Sequence, residues 1–321
     1  MAEAEATRVP SSGEVWWELL RTWRHPIRFV GELVSRIQND DILTIAAALA
    51  YYFLFSIFPF VIFVLALTSL LPVQGLEAFL LENAARSLPG EAYTLVETVV
   101  RGLLARPRSG LLSLGAVLAL WTASAAFAGV MNGLNRAYRV RDTRPWWKVR
   151  SWAIALTVAL SMFMILAFVL TLFGGQLVTL VGRHLGPAAG MAAFVVRWTI
   201  MIGTVMITVA TIYWGGPAVA REWRWLSPGA VLFTAGFAGT SAAFSFYVGR
   251  FASYDATYGS LGAVIILLVW MYLLAVFLLL GGELNALLEC RIRERAAAEQ
   301  LRIGEEQPPE PTAEALERAA R

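Results

Sequence analysis

Apolar residues fall along this chain in long continuous runs with no period-two alternation, which predicts helices and not strands. The longest run is Tyr258 to Glu289, and no charged residue lies between Asp255 and Glu283. At ~1.5 Å per residue that uncharged stretch makes about 40 Å of helix, more than the ~30 Å hydrocarbon core of a bilayer, so it predicts a membrane span. Gly259 and Gly262 open it, and it closes on Gly281, Gly282, Glu283 and Asn285. A second uncharged run, Ile42 to Gln74, contains another span, and four more are centred in 110–135, 152–181, 198–217 and 226–249. The pattern predicts an all-α polytopic membrane protein with six transmembrane helices.

Asn39, Asp40 and Asp41 offer N-capping oxygens ahead of the first span. Ala46 and Ala50, four residues apart, give that span a small-residue face for a neighbouring helix. Pro59 removes one backbone donor and frees the carbonyl of Phe55, predicting a kink that is either structural or a hinge, with the Ser56 hydroxyl near enough to compensate in part. The fifth span holds Gly229, Ala235, Gly236, Gly239 and Ala243, which predicts a buried, closely packed helix.

The polar stretches divide the chain into a segment 1–41, a transmembrane domain 42–289 and a charged tail 290–321. Residues 12–38 interleave Trp16, Trp17 and Trp23 with Arg21, Arg24, Arg28 and Arg36, a composition that suits either interfacial helices or helices packed on other cytoplasmic parts; Pro26 splits them in two. Residues 75–109 carry helical periodicity on both sides of Pro89-Gly90, predicting an extracytoplasmic helical hairpin. The tail from Arg291 predicts a short helix followed by disorder around Pro308, Pro309 and Pro311.

Composition sharpens this picture. With 58% hydrophobic and 15% charged residues, the chain falls outside the soluble range of about 25% charged. The net charge of +3 is too small for a nucleic-acid footprint, and Cys290, the single cysteine, can form no internal disulfide and no Cys-based metal site. No signal-peptide run is visible in the first 41 residues. Nineteen of the 26 Arg and Lys residues fall on one alternating side, so both termini are expected in the cytoplasm.

Three stretches together resemble the YihY/BrkB family of bacterial inner-membrane proteins, once labelled ribonuclease BN: DDILTIAAALAYYFLFSIFPF (40–60), GVMNGLNRAYRVRDTRPWWKVR (129–150) and YGSLGAVIILLVWMYLLAVFLLLGGELNALLE (258–289). The likeness covers about residues 30–290. It implies six spans with cytoplasmic termini in the inner membrane and no settled biochemistry; proposals for the family include resistance factors and movement of lipid-like molecules.

At the end of the second span, Trp121, Ser124, Asn132, Asn135, Arg136 and Arg139 fall at helical spacings as a polar strip rising from a basic mouth. Such a strip can receive an anionic headgroup, with the arginines pairing to phosphate; the structural alternative is that the asparagines bond neighbouring helices while the arginines follow the positive-inside rule. Glu283 is a second substrate-binding candidate, with an interfacial structural role as its alternative, and Asn285 points to nearly the opposite face, since two residues advance a helix by ~200°. Arg197, Arg250 and Asp255 lie toward the outer surface, either snorkelling or forming an ion-paired outer gate. His25 and His184 sit on opposite sides of the membrane, and no GxxxxGK[ST] loop is present. No metal, cofactor or catalytic group is expected. Binding or moving an amphipathic, lipid-like substrate leads the functional readings, a non-catalytic scaffold or assembly factor follows, and an enzyme, including a ribonuclease, comes last. Membrane lipids are the expected partners.

Overall fold

The computed structural model describes residues 10–22, 24–68, 81, 97, 109–219, 221–251 and 255–306; within these, backbone alone is described for several stretches, chiefly 57–68, 109–116, 164–173, 248–251 and 255–263. The described elements are helices: α1 (Ser12–Thr22), α2 (Pro26–Asn39), α3 (Ile42–Thr68), α4 (Ser109–Ala137), α5 (Trp146–Leu185), α6 (Pro187–Gly215), α7 (Pro228–Phe251) and α8 (Asp255–Glu306). Three of them contain stretches long and apolar enough to cross a membrane: Pro187–Gly215, Pro228–Tyr247 and Val264–Arg302. The described apolar part of α3, Ile42–Ser56, is shorter. The 75–109 hairpin and the tail beyond Glu306 lie outside the described residues, apart from single positions.

Helix α8 is the hub. Every residue from Gly281 to Glu289 is buried, so this segment is covered on all sides. Its Ala275, Leu278 and Leu279 form one core with Ile42, Ala46 and Leu49 of α3, Val130 and Leu134 of α4, Leu160 of α5, Val209, Ile212 and Tyr213 of α6, and Ala230 of α7. The small face expected on α3 is used here, since Ala46 and Ala50 are both buried. At the crossing of α7 and α8 the two backbones touch: a Cβ on Gly229 would overlap the Gly281 carbonyl, and one on Gly281 would overlap the Tyr213 hydroxyl and the Gly229 carbonyl. Asn285 fixes this crossing by accepting a hydrogen bond from Gly229 N (2.9 Å) and donating one to Ser227 Oγ (3.1 Å). Tyr213 Oη donates to the Leu278 carbonyl at 2.7 Å.

Several expectations need correction. The residues from Arg291 form no separate short helix; α8 runs unbroken for 52 residues, about 78 Å, into the charged region. A helical run of Ala, Glu and Arg with no Gly or Pro before Gly304 gives the helix no reason to stop at the end of its apolar part. Small residues bury only one face of α7: Gly229, Ala230 and Gly236 meet α8, whereas Ala235, Gly239 and Ala243 are exposed. The residues expected to cap α3 act instead through the turn's backbone, and Asn39 Nδ2 donates to Ser35 Oγ at 3.3 Å. Asp40 closes α2, and Asp41 takes a left-handed conformation (φ 53°) while its carbonyl accepts from Ile45 N. Ser56 donates to the Phe53 carbonyl at 2.7 Å, not to the carbonyl that Pro59 frees. Helix α3 continues through Pro59, whose side chain lies outside the described residues.

The N-terminal helices grip the far end of α8. A capping box starts α1, with Ser11 N donating to Glu14 (2.6 Å) and Glu14 N to Ser11 Oγ (3.4 Å). Val15 and Phe29 pack with Leu284, Leu287 and Leu288, while Arg291 pairs with Glu32 and Arg295 with Glu18. The opposite faces leave Trp17, Leu20, Ile27 and Val30 exposed.

Candidate anion-binding groove between α3 and α4

The polar strip read from the sequence divides in two once α4 is packed. Residues 121, 125, 128, 132 and 136 lie within an arc of about 80° around the helix, centred on Asn132, whereas Ser124 and Asn135 stand 60–80° to one side of Asn132. Ser124 and Asn135 are therefore buried, while Trp121, Asn132 and Arg136 remain exposed. Arg139 is off the helix altogether. Its φ of 53° makes it the left-handed residue of a Schellman turn, in which Val140 N donates to the Asn135 carbonyl (3.0 Å) and Arg139 N to the Arg136 carbonyl (2.8 Å).

Asn135 takes the structural alternative. Its Oδ1 accepts from Ala218 N (2.6 Å) in the α6–α7 connection, and its Nδ2 donates to Asp142 (3.1 Å). Arg144 grips the same Asp142 carboxylate through two nitrogens, at 2.9 and 2.7 Å, and this fork holds the Asp142 carboxyl below the usual carboxylate range. Ser124 Oγ is likewise engaged, donating to the Trp121 carbonyl at 2.8 Å.

The exposed members line an open groove of about 560 Å³ between α3 and α4. Its floor is apolar or small: Ile45, Ala48 and Leu49 from α3, with Ala125, Ala128 and Gly129 from α4. Gly129 matters for the shape, because a Cβ there would stand 2.8 Å from Leu49 Cδ2 and push the Leu49 side chain aside. Polar side chains stand toward both ends: Asp41, Asn132 and Arg136 at one, and Arg150 beside Trp121 at the other. Arg136 Nη1 lies 3.7 Å from Asp41 Oδ2, a loose and half-exposed pair. Arg150, from the first turns of α5, stacks 3.8 Å above the Trp121 ring and donates to the Trp121 carbonyl at 2.6 Å. Its Nε is buried with no hydrogen-bond partner. A weakly paired, half-exposed arginine beside an exposed amide, Arg136 with Asn132, is a donor set that a phosphate or carboxylate completes.

Sequence reasoning missed Arg150. It stands fourteen residues after Arg136 and counts as one more inner-side charge until the 138–145 turn folds α5 back along α4. The WWKVR segment at the start of α5 was the available signal, since tryptophans beside an arginine suit a stacked guanidinium.

Glu283 lies outside this groove. It is fully buried, both carboxyl oxygens lack a hydrogen-bond partner, and it faces the carboxyl group of Asp40, with Arg36 and Arg139 the nearest guanidinium groups. On the far side of α8, Glu289 holds both Arg221 and Arg224, the latter at 3.0 Å, and all three side chains are buried. Arg221 also donates to the Tyr213 carbonyl (2.8 Å) and covers the Tyr138 ring at 4.1 Å. The sequence marks Arg221 as an inert inner-side charge, suited to serve as a neutral control substitution; its burial removes it from that role. Arg197 packs its stem over α5, where a Cβ on Gly174 would stand 2.8 Å from Arg197 Cδ. The side chains of Arg250 and Asp255 lie outside the described residues, so the outer gate has no described geometry. Among the described residues, no group of three His, Cys, Asp or Glu side chains is placed to hold a metal ion.

Comparison with known proteins adds a lineage. The sequence profile of the family described as "Virulence factor BrkB" matches residues 33–303. The chain is 37% identical over 266 residues to "Putative ribonuclease-like protein YfkH" of Bacillus subtilis (strain 168), covering 82% of this chain and 96% of the relative. It is 29% identical over 268 residues to a "UPF0761 membrane protein" of Alteromonas mediterranea, covering 79% and 85%, and 27% identical over 310 residues to one of Pseudoalteromonas atlantica, covering 92% and 98%. No solved structure matches.

Proposed function

The chain belongs to the BrkB family of membrane proteins, and from that premise we propose that it binds, and moves within or across the bacterial inner membrane, an anionic amphipathic molecule whose headgroup enters the α3–α4 groove. The observation that carries the reading is the groove's division: Arg136 and Asn132 at one end, an apolar floor along the middle. A headgroup at Arg136 keeps its charge paired, and an acyl chain on the floor stays out of water. Such a placement avoids most of the desolvation cost of an unpaired charge in hydrocarbon.

The proposed setting is six spans, both termini in the cytoplasm and an extracytoplasmic hairpin over 75–109; the excess of inner-side arginines supports it. In this arrangement 1–41 forms a cytoplasmic or interfacial segment, 42–289 the transmembrane domain and 290–321 the tail. Helices from other parts of the bundle rearrange around Pro59 to expose the site outward, with Arg197, Arg250 and Asp255 at the outer end. The role is binding or transport and not catalysis. The word "ribonuclease-like" belongs to the Bacillus relative's name, and a metal-assisted nuclease needs several ligands converging on the ion, for which this sequence offers little.

In reconstituted vesicles, Arg136→Ala and Asn132→Leu should each lower binding or movement of labelled phosphatidylglycerol while the protein stays folded. Arg302→Ala, on an exposed part of α8, is the appropriate control. If the folded Arg136→Ala/Asn132→Leu double variant handles the lipid as well as the parent, the groove assignment fails. The exposed apolar face of α1 and α2, with Trp17, Leu20 and Ile27, favours the scaffold reading as the alternative.

A further inference from the structure

Adjacent residues in the α2–α3 turn face two different sites. Asp40 meets Glu283 at the hub of α8, and Asp41 meets Arg136 at the mouth of the groove. We propose that Asp40 and Glu283 share a proton, and that its loss moves the turn, withdraws Asp41 from Arg136 and opens the groove to an anionic headgroup.

The case for a proton begins with what surrounds the pair. Both oxygens of Glu283 and Oδ2 of Asp40 are buried and accept no hydrogen bond. Two carboxyl groups in contact, without donors, cannot both carry a charge at tolerable cost, whereas one shared proton makes a hydrogen bond between them. The other charged groups around them are engaged or distant in role. From α2, Arg36 lies 3.9 Å from Glu32, which also takes Arg291 of α8. Arg139 stands in the turn after α4 and donates nothing to Glu283, and Arg136 of α4 is turned to Asp41. In the α6–α7 connection, Arg221 and Arg224 are committed to Glu289. On α1, Glu18 is bound by Arg295. Helices α3 and α7 bring no charged side chain to this level.

The coupling follows from chain geometry. Asp40 and Asp41 share one peptide unit, and Asp41 holds the positive φ that ends α2 and turns the chain into α3. With the proton bound, Asp40 stays against α8 and Asp41 occupies Arg136. With the proton gone, repulsion from the buried Glu283 drives Asp40 toward water and takes Asp41 with it. Arg136 then has no internal counter-ion and accepts an external one. The sign is fixed: anion binding strengthens as pH rises.

This inference rests on the groove reading for its second half only, and the test separates the halves. Infrared difference spectra of the full chain in nanodiscs, titrated across neutral pH, should show the carbonyl band of a protonated carboxyl that disappears on raising pH and is missing from Glu283→Gln. Binding of phosphatidylglycerol from phosphatidylcholine nanodiscs should tighten with pH, by up to about tenfold per unit while one proton is linked. Glu283→Gln, which mimics the protonated state without charge, should hold binding weak and change it less than about twofold over the same range. Asp41→Asn, which keeps a residue tolerant of positive φ, should bind tightly at every pH. A missing band, or one untouched by Glu283→Gln, overturns the proton site. A normal band with pH-independent lipid binding overturns the coupling and leaves the groove intact. If neither the parent nor Asp41→Asn binds phosphatidylglycerol at any pH, the groove and the coupling both fall, and the band alone decides the proton site.

Discussion

Replacing Glu289 by Gln removes the single counter-charge of two buried guanidinium groups. The side chains of Arg221, Arg224 and Glu289 are 6%, 7% and 4% exposed, so water cannot take over the lost interaction. Breaking a buried pair by deleting one partner costs about 3–5 kcal/mol, and with two arginines orphaned the expected loss lies in the upper half of that range. Arg221→Gln should cost less, because Arg224 still neutralises Glu289, although the bond to the Tyr213 carbonyl and the cover over Tyr138 are lost as well. If the two side chains act as a pair, Glu289→Gln/Arg221→Gln should be less damaging than the sum of the singles, by about 1–3 kcal/mol. Equilibrium unfolding in mixed micelles, followed by tryptophan fluorescence, measures all four corners of the cycle. The exposed pair Arg302–Glu299 provides the scale: Arg302→Ala should change stability by no more than about 0.5 kcal/mol. A Glu289→Gln protein within about 1 kcal/mol of the parent, or additive single substitutions, would refute the clasp as a source of stability.

Helix crossings give a paired prediction: Gly281→Ala should destabilise by at least about 2 kcal/mol, since its methyl group meets the Gly229 carbonyl, whereas Gly31→Ala, with open space around its Cβ position, should stabilise by about 0.5–1 kcal/mol in the same unfolding assay. The Asp142 fork gives a pH dependence. Its folded carboxyl titrates below the unfolded one, so its contribution is fully present above the ordinary carboxylate range and disappears as pH falls through the lowered value; below about pH 4 the parent should lose thermal stability more steeply than Asp142→Asn. For topology, a reporter fused after Arg295 should behave as cytoplasmic and one inserted near Pro89 as external, and a shielded Pro89 reporter would mean a span too many or too few.

Residues with a strong local signal were legible in the sequence. The uncharged stretch ahead of Glu283 and the Ala46/Ala50 face announce the hub and its packing against α3, because length without charge and small side chains at helical spacing permit few other structures, whereas close approach was expected at Gly259 and Gly262 and the described contact is at Gly281. The opposition of Glu283 and Asn285 on α8 was also readable from helical geometry. The fate of polar residues in crowded places was not. Asn135 and Asn132 look equivalent three residues apart, yet 300° of helical rotation sends one to a loop clasp and the other to the groove. Arg221 and Arg150 look like ordinary inner-side charges, and only the packing of distant segments makes one a buried ion-pair partner and the other a stacked donor. The extent of α8 was underestimated because charge marks the end of an apolar environment, not the end of a helix.

The buried segment of α8 limits which parts of the molecule can do mechanical work. To rotate or slide between Gly281 and Glu289, the helix would have to release Asn285 from Ser227 and Gly229, Glu289 from two arginines, and the Leu278 carbonyl from Tyr213, all in one step. The backbone contact with Gly229 leaves no clearance for gradual movement. In machine terms α8 with the packed face of α3 is the stator, and the loosely paired α2–α3 turn is the piece left to travel against it. On the proposed transport role, a label on α8 should therefore stay still relative to α7, and the distances that change should be those from α8 to the α2–α3 turn.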